Sequence, residues 1–394
     1  MNHRKCLLLL TVVVLTASAA RSQSDSPARL VRDAGIKGGL VVHVGCGDGR
    51  FTAGLRLNDR YVVQGLDTDP ANVRKARQHI RSLGIYGSVT ADTYDGEHLP
   101  YAENLVNLLI VEDSVSLAAG EIMRVMAPHG VVLVSKAGRW RKRTKPWPDE
   151  IDEWTHFLHG ADNNAVANDT VVAAPRTIQW VSNPRWGRSH EEAASVSALV
   201  TTNGRVFAIM DEAPNISIRF LADWKLTARD AFNGTLLWKR DIPLWSDHLR
   251  HFRAGPTHLP RRLVAVGDKV YVTLGLDAPV SILDAATGET LKVLKGTERT
   301  EEIAVDGGVV YLAVGTSEVY RRGGGLYTRG EPEPTDFRYI MAVDPDSGRQ
   351  LWKKDFTGTN FLLPMSMTVR NGSVFYQDIN GVGRLDARTG TEIW

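Results

Sequence analysis

Four apolar runs set the rhythm of the first third of the chain: LVVHV at 40–44, YVVQGL at 61–66, LVNLLIV at 105–111 and GVVLVS at 130–135. Short continuous runs of this kind predict parallel strands buried on both faces. The stretches between them follow another period. In PANVRKARQHIRSLG, residues 70–84, Val73, Ala76, Ile80 and Leu83 recur at helical spacing while basic residues fill the opposite face, which predicts an amphipathic helix. Asp69 and Pro70 supply an N-cap and an N1 proline, and Gly84 supplies the stop. The alternation from Pro27 to Ser135 predicts an open α/β sheet with its ligand crevice at the carboxyl ends of the strands.

From about Arg176 the pattern changes to strands alone. A glycine turn followed by a valine and an aromatic recurs in NGRVFAIM, GDKVYVTLG, GGVVYLAVG and NGSVFYQD, and the aromatics Phe207, Tyr271, Tyr311 and Phe375 lie 64, 40 and 64 residues apart. A second element, a strand ending in Asp-x-x-x-Gly, recurs in ARDAFNGTLLW, ILDAATGETLKV, AVDPDSGRQLW and RLDARTGTEIW. A 40-residue unit with insertions of about 24 in alternate copies fits propeller blades. Asp and Gly then make the tight turn, and tryptophan, where present, packs between neighbouring blades. The inserts DEAPNISIRFLADWK and RRGGGLYTRGEPEPTDF are expected to be rim loops.

With 394 residues, 43% of them hydrophobic, the chain has room for two or three domains. Its 47 basic and 45 acidic residues leave a net charge of +2, so no global field favours nucleic acid or an anionic membrane. Arg4 and Lys5, the apolar run Cys6 to Leu15 and Ala17-Ser18-Ala19 form the pattern of a signal peptide over residues 1–19, with an uncleaved anchor as the alternative. No later segment reads as a membrane span, so an exported, periplasmic or extracellular protein is expected. Cys46 is then the one remaining cysteine, which excludes an internal disulfide and a zinc-cysteine cluster. Residues 27–138 are read as the α/β domain, 139–175 as linker and lead-in, and 176–394 as the repeated β domain.

The chemistry starts at LVVHVGCGDGRF. Gly45, Gly47 and Gly49 allow positive φ and a close backbone approach to a ligand. Asp67, 18 residues after Gly49 at the end of the second strand, is placed to accept hydrogen bonds from ribose hydroxyls. In order, VVHVGCGDGRF, VVQGLDTDPANVRKAR, VTADTYDGEHLPYAENLVNLLIVED and EIMRVMAPHGVVLV resemble the motifs of class I S-adenosylmethionine-dependent methyltransferases. The last is similar to the E-x-x-R-V-L-x-P-G-G segment of their small-molecule, type 11-like branch. The resemblance covers about 110 residues and implies a Rossmann-like fold binding S-adenosylmethionine. It further implies that Gly45, Gly47 and Gly49 line the methionine end, that Asp67 holds the ribose and that Asp92 lies near the adenine.

Two departures stand out. His43 occupies the position where that family has an acid helping to hold the cofactor's amino group, and it is expected to be a strand residue with a structural partner. After the fifth strand, KAGRWRKRTKPWPDE is basic and read as linker rather than as the family's further strands. Glu112 and Asp113, after the fourth strand, are candidates for a catalytic base; the competing reading is a solvated strand terminus.

In the joint, RWRKRTK with Trp140 and Trp147 has the makings of a nucleic-acid grip, but the balanced charge favours a solvated linker. Asp152, Glu153, His156 and His159 fall at helical spacings that put metal ligands on one face, His156 and His159 foremost. Against that, EWTHFLHGADNNAVA is similar to the lead-in of the pyrroloquinoline quinone-like repeat family, which implies packing roles for Trp154, Phe157 and Gly160. The D-A-x-T-G-x-x-x-W repeats resemble the same family and imply a partial β-propeller of about four blades, a piece of a larger ring or one closed by a partner. Quinone-dependent members add an acid, calcium ligands and often a vicinal disulfide, none of which is assignable here, so quinone binding is not expected.

The leading expectation is a methyltransferase with a β-propeller recognition domain, its acceptor or protein partner unknown. The rivals are an exported non-catalytic scaffold with a degenerate nucleotide-type domain and, behind it, a quinone-dependent oxidoreductase.

Overall fold

The computed structural model describes residues 26–394 apart from 176–177, 185–186, 188–194, 217–219, 246–258, 316–337, 357–359, 361 and 364. The expected signal peptide, the whole of the second rim insert and residues 217–219 of the first lie outside the described residues.

The α/β half is a six-stranded sheet. β1 (Gly39–Val44), β2 (Tyr61–Asp67), β3 (Val89–Thr93), β4 (Val106–Val111) and β5 (Met126–Lys136) are parallel, in the order β3-β2-β1-β4-β5, and β6 (Arg139–Thr144) runs antiparallel on the β5 edge. Successive residues of each strand feed opposite faces. On one face Val41, Val63, Leu108 and Ile110 pack under helices α1 (Pro27–Ala34) and α3 (Pro70–Ser82) through Leu30, Val31, Val73, Ala76 and Ile80, with the short α2 (Arg50–Gly54) lying between these helices in the chain. On the other, Val42, Val44, Leu66, Leu109 and Val111 meet Leu99 and Val125, the latter on α4 (Ala119–Val125). Asp69 caps α3 by accepting from Ala71 N–H at 2.8 Å, as its sequence predicts.

The basic run expected as linker is corrected: RWRKRT is β6, paired in register from Val131↔Thr144 to Lys136↔Arg139. Its charges obscured the strand, yet they serve it. Exposed basic side chains protect an edge strand from unwanted pairing. Lys142 Nζ donates to the carbonyls of Asp33 and Ala34 at the end of α1, and Lys145, just beyond β6, donates to those of Met123 and Met126. Both lysines satisfy carbonyls that helix geometry leaves without intrahelical partners.

Among the described residues the β half forms four antiparallel sheets in chain order. They are β7 (Val196–Thr202), β8 (Arg205–Asp211), β9 (Trp224–Asp230) and β10 (Leu236–Asp241); β11 (Leu263–Val266), β12 (Lys269–Thr273), β13 (Val280–Asp284) and β14 (Thr290–Leu294); β15 (Thr300–Asp306), β16 (Val309–Val314), β17 (Arg338–Val343) and β18 (Gln350–Phe356); then β19 (Thr368–Arg370), β20 (Ser373–Asp378) and β21 (Gly381–Asp386). One tryptophan contact repeats between them. Trp238 lies over Gly288 of the second blade and donates from Nε1 to Ala285 O at 2.9 Å; Trp352 lies over Gly390 of the fourth and donates to Ala387 O at 2.9 Å. Trp180 does the same on Gly234 of the first blade, with Ala231 O at 2.9 Å. Where the second blade lacks a tryptophan, the aliphatic stem of Lys292 lies against Gly348.

A single segment, residues 154–161, joins all four blades and turns tightly at His156–His159. Trp154 O accepts from Thr201 N–H, Thr155 O from Ala265 N–H, His156 Nε2 from Val305 N–H and Ala161 O from Val369 N–H. Each donor belongs to the first strand of a different blade.

The two halves meet at the amino-terminal ends of the parallel strands. Asn107, near the start of β4, accepts from Leu40 N–H and from Asn233 Nδ2 and donates to Asp230 Oδ2, all at 2.7 Å. Asn233 also donates to Leu105 O at 2.8 Å, and Arg60, just before β2, reaches Thr287 O of the second blade at 3.4 Å. A cleft of about 310 Å³ remains in this seam, lined in part by Lys37, His129, Arg205 and Phe232.

The tryptophan contact predicts a graded response to added methyl groups. Gly288 has φ +73° and a Cβ there comes within 2.6 Å of Trp238, whereas Gly267 has φ +58° with nothing within 4 Å. Gly288→Ala is expected to lose about 3 kcal/mol and Gly267→Ala about 1 to 2 kcal/mol in urea unfolding. Equal losses would show that the indole does not read this position.

Candidate functional site

The glycine loop leaves β1 where β1 and β2 run side by side. Gly45 N–H and Cys46 N–H both donate to Leu66 O, at 2.8 and 3.0 Å, which folds the loop over the end of β2. The three glycines differ in task. Gly47, at φ +53°, has open space where a Cβ would stand, so its backbone is bare. Gly49, at φ +78°, lies against α3, where a Cβ would come within 2.7 Å of Ala76 Cα. Gly45, at φ +87°, makes room for Glu112, whose Cβ lies 3.0 Å from the position a Cβ would take.

Asp67 closes the loop from the neighbouring strand. Its Oδ2 accepts from Gly47 N–H at 2.9 Å and its Oδ1 from Asp69 N–H at 2.9 Å, while Asn72 Nδ2 approaches both oxygens at 3.3 and 3.4 Å. The carboxylate is 8% exposed and turned toward the glycines. Beneath the loop Cys46 packs against Gly65, and burial, reinforced by the negative charge of Asp67, pushes its thiol up to about 12.

Asp92 stands at the exposed end of β3, accepting from Arg77 Nη2 and from Thr93 N–H, each at 2.9 Å. Asp113 accepts from Ala137 N–H at 3.0 Å and so braces the β5–β6 turn. His43 is buried on β1, with Nδ1 2.8 Å from Thr52 Oγ1 and Nε2 3.0 Å from Glu112 Oε1. It is thus a strand residue with structural partners, and it directs Glu112.

Two residues at this end escaped the sequence reading. Tyr94 N–H donates to Asp67 O at 3.2 Å, and burial and then the charges of Asp67 and Asp95 hold its hydroxyl above the usual range. Asp95 folds the following loop by accepting from Glu97 N–H and His98 N–H, at 2.7 and 2.6 Å. The signal was the DGEH turn, whose aspartate precedes backbone donors two and three residues on.

The proposed metal constellation is dispersed. Residues 152–155 run without helical turns and 156–159 form a tight turn, with His156 N–H and His159 N–H donating to each other's carbonyls at 3.1 and 3.2 Å, so the helical spacing does not build one face. Glu153 accepts from Thr202 Oγ1 of the first blade, His156 reaches the third, and His159 Nε2 lies 2.7 Å from Asp152 Oδ2. Among the described residues no group of three or more His, Cys, Asp or Glu side chains is arranged to hold a metal. Of the lead-in residues, the Trp154 ring meets His159 edge-on at 5.3 Å, whereas Phe157 is exposed, with the Arg261 guanidinium 5.7 Å from the centre of its ring. Gly160 N–H donates to Leu158 O at 3.0 Å in the turn that follows.

Comparison with known proteins agrees with these two architectures. Residues 41–130 match the family described as a methyltransferase domain, and residues 277–394 match that described as outer membrane protein assembly factor BamB. Methyltransferase GfsG of Streptomyces halstedii is 29% identical over 127 residues, 31% of this chain and 45% of that protein. The chain thus spans about half the length of that curated relative. Among solved structures, a SAM-dependent methyltransferase from Aquifex aeolicus is 20% identical with a TM-score of 0.26, covering 27% of this chain and 62% of its own. Geranyl diphosphate C-methyltransferase from Streptomyces coelicolor is 19% identical with a TM-score of 0.25, covering 27% of this chain and 44% of its own. On the two family matches, the chain carries a methyltransferase domain in residues 41–130 and a BamB-type repeat in residues 277–394.

His156 gives the lead-in a pH dependence. Because Nε2 accepts from Val305 N–H, the proton sits on Nδ1, which donates to Thr155 Oγ1. Burial lowers its pKa from 6.5 to about 4. The unfolded chain then binds a proton that the folded chain does not as pH falls from 6.5 to 4, so stability declines through that window by about 3 kcal/mol and levels off below it. Urea unfolding of wild type and His156→Gln across pH 4 to 7 is expected to show this slope only in the wild type; parallel curves would refute it.

Proposed function

We propose that the chain is an S-adenosylmethionine-dependent methyltransferase in which Gly45, Gly47 and Asp67 hold the cofactor and Gly49 seats the loop on α3. The observation that carries this reading is the Asp67 carboxylate, fixed by backbone donors against a bare Gly47. The chemistry of the donor set fits: a bare main chain admits a ligand to close approach, and a carboxylate beside it suits two adjacent hydroxyls. S-adenosylmethionine, when bound, supplies an electrophilic methyl group on a sulfonium. The chain's own part is to orient that group, exclude water and hold an acceptor in line. Asp92 is assigned to the adenine side of the cleft on the strength of its place at the end of β3. Asp113 is not assigned the role of base, since its carboxylate braces a turn.

The placement of the propeller refines its role. Its first two blades contact the amino-terminal ends of the strands, whereas the glycine loop lies at the carboxyl ends, a strand length of about 20 Å away. Those blades therefore tether the enzyme, and recognition of a partner falls to surfaces remote from the methyl group. Export is part of the proposal. It is supported by residues 1–19 and by the match to a family described as an outer membrane assembly factor. Among the described residues no helix is long and apolar enough to cross a membrane.

Calorimetry tests the reading. S-adenosylmethionine and S-adenosylhomocysteine are expected to bind the wild type, and Asp67→Ala is expected to weaken both by tenfold or more, as befits loss of a charge-assisted contact of about 1.5 to 3 kcal/mol. Folded wild type that gives no binding heat with either ligand would leave a scaffold as the reading.

A further inference from the structure

The basic strand on the rim of the parallel sheet has two faces, and the fold uses one of them. Residues set opposite each other in an antiparallel pair share a face. Thr144, Lys142 and Trp140 stand across from Val131, Leu133 and Ser135. On that face Trp140 packs against the cluster under α1 and α3, and Lys142 Nζ holds the last carbonyls of α1. Arg143, Arg141 and Arg139 stand across from Val132, Val134 and Lys136 on the other. The three arginines and Lys136 are exposed, and among the described residues none of these four side chains has a hydrogen-bonded or ion-paired partner. Asp113, the acid that reaches the β5–β6 turn, is engaged by Ala137 N–H. Arginines two apart on a strand repeat every 6.7 Å or so, at about 3.3 Å per residue. Lys136 directly facing Arg139 is a like-charge pair, which destabilises a sheet. The row thus adds repulsion to the fold and no contact that holds it together.

β6 is also the outermost strand: among the described residues no strand pairs with its far side. Every second residue of an edge strand turns its N–H and C=O away from the sheet. We propose that this edge docks an extended acidic segment of a partner protein, which adds as a further strand with Asp or Glu at every second position. Side chains on one face of the added strand repeat with the same two-residue period, so each carboxylate comes to lie across from an arginine. Main-chain pairing supplies affinity whatever the sequence, and the arginine row selects the sequence. Each guanidinium can engage a carboxylate through two parallel N–H donors. The charges that discourage a neutral or basic strand from pairing are therefore the ones that admit an acidic one. A nucleic acid or an anionic membrane would neutralise the arginines but has no use for the outward peptide groups. The proposal is independent of the cofactor reading, because β4 and β5 separate β6 from the loop between β1 and β2.

Fluorescence anisotropy on the full chain tests this with three end-blocked, dye-labelled octapeptides. One alternates glutamate and threonine, the second has the same composition with its glutamates grouped, and the third is the alternating sequence N-methylated at every peptide nitrogen, which keeps the charges and removes the main-chain donors. The wild type is expected to bind the alternating peptide about fivefold tighter than the grouped one and about tenfold tighter than the methylated one, and more weakly as salt is raised. Arg141→Glu should weaken the alternating peptide by about tenfold or more, since it sets a like charge in the middle of the row. A wild type that binds the three peptides alike, or fails to bind the alternating one below about 1 mM at low salt, overturns the proposal however the variant folds. Tighter binding of an octameric oligothymidylate, or of phosphatidylglycerol vesicles, than of the alternating peptide overturns it in favour of that polyanion.

Discussion

A chain that crosses the interior of a protein must satisfy its backbone polar groups, and residues 154–161 do so by dividing their acceptors among the first strands of four separate sheets. No blade supplies more than a fraction of what the segment needs, so the segment is in place only when all four are. The converse also holds. Each blade finds at this seam a partner for an N–H that its own sheet does not pair, which makes the lead-in a shared inner edge. The buried Glu302 adds to the same seam: Arg261 before the second blade pairs with it, and Met367 N–H before the fourth donates to it at 3.2 Å. Burial dominates its ionisation and pushes its carboxyl up to about 7, even beside a guanidinium. A buried pair of this kind adds little net stability, and its contacts tie the third blade to the segments that precede the second and the fourth.

The same economy links the two halves. Asn107 engages the main chain of β1, the side chain of Asn233 and the carboxylate of Asp230, so a single amide ties the parallel sheet to a blade turn. Gly39 makes this possible. Its φ is +104° and a Cβ there would come within 2.0 Å of Asn107 Oδ1. Because the joint uses the amino-terminal ends of the strands, the opposite ends remain at liberty to carry chemistry. An α/β unit and a propeller thereby share a border, and the cleft in it, without the border reaching the glycine-loop end of the sheet.

The sequence disclosed period and punctuation well. The parallel strands, the capped helix at Pro70 and the blade motifs each rest on a local signal strong enough to survive without context: buried runs, an Asp-Pro start, an Asp-x-x-x-Gly turn. The tryptophan contacts were legible for the same reason, since Trp238 and Trp352 stand four residues after the glycine of their own turn. What stayed hidden depends on partners distant in the chain. RWRKRT has no apolar face because β5 supplies its pairing and α1 gives its lysine a use. The helical spacing of His156 and His159 was real as arithmetic, but the two residues close a tight turn whose flanks pair with the blades. The partnership of His43 with Glu112 spans 69 residues, and neither position announces the other.

Cys46 carries a last consequence. Thiol oxidation and disulfide exchange proceed through the thiolate, and this sulfur is 3% exposed with its acidity suppressed by burial and by the neighbouring Asp67. At neutral pH almost none of it is ionised. A sulfhydryl so sheltered and so weakly acidic is a poor nucleophile, which disfavours crosslinking through it to a neighbouring molecule.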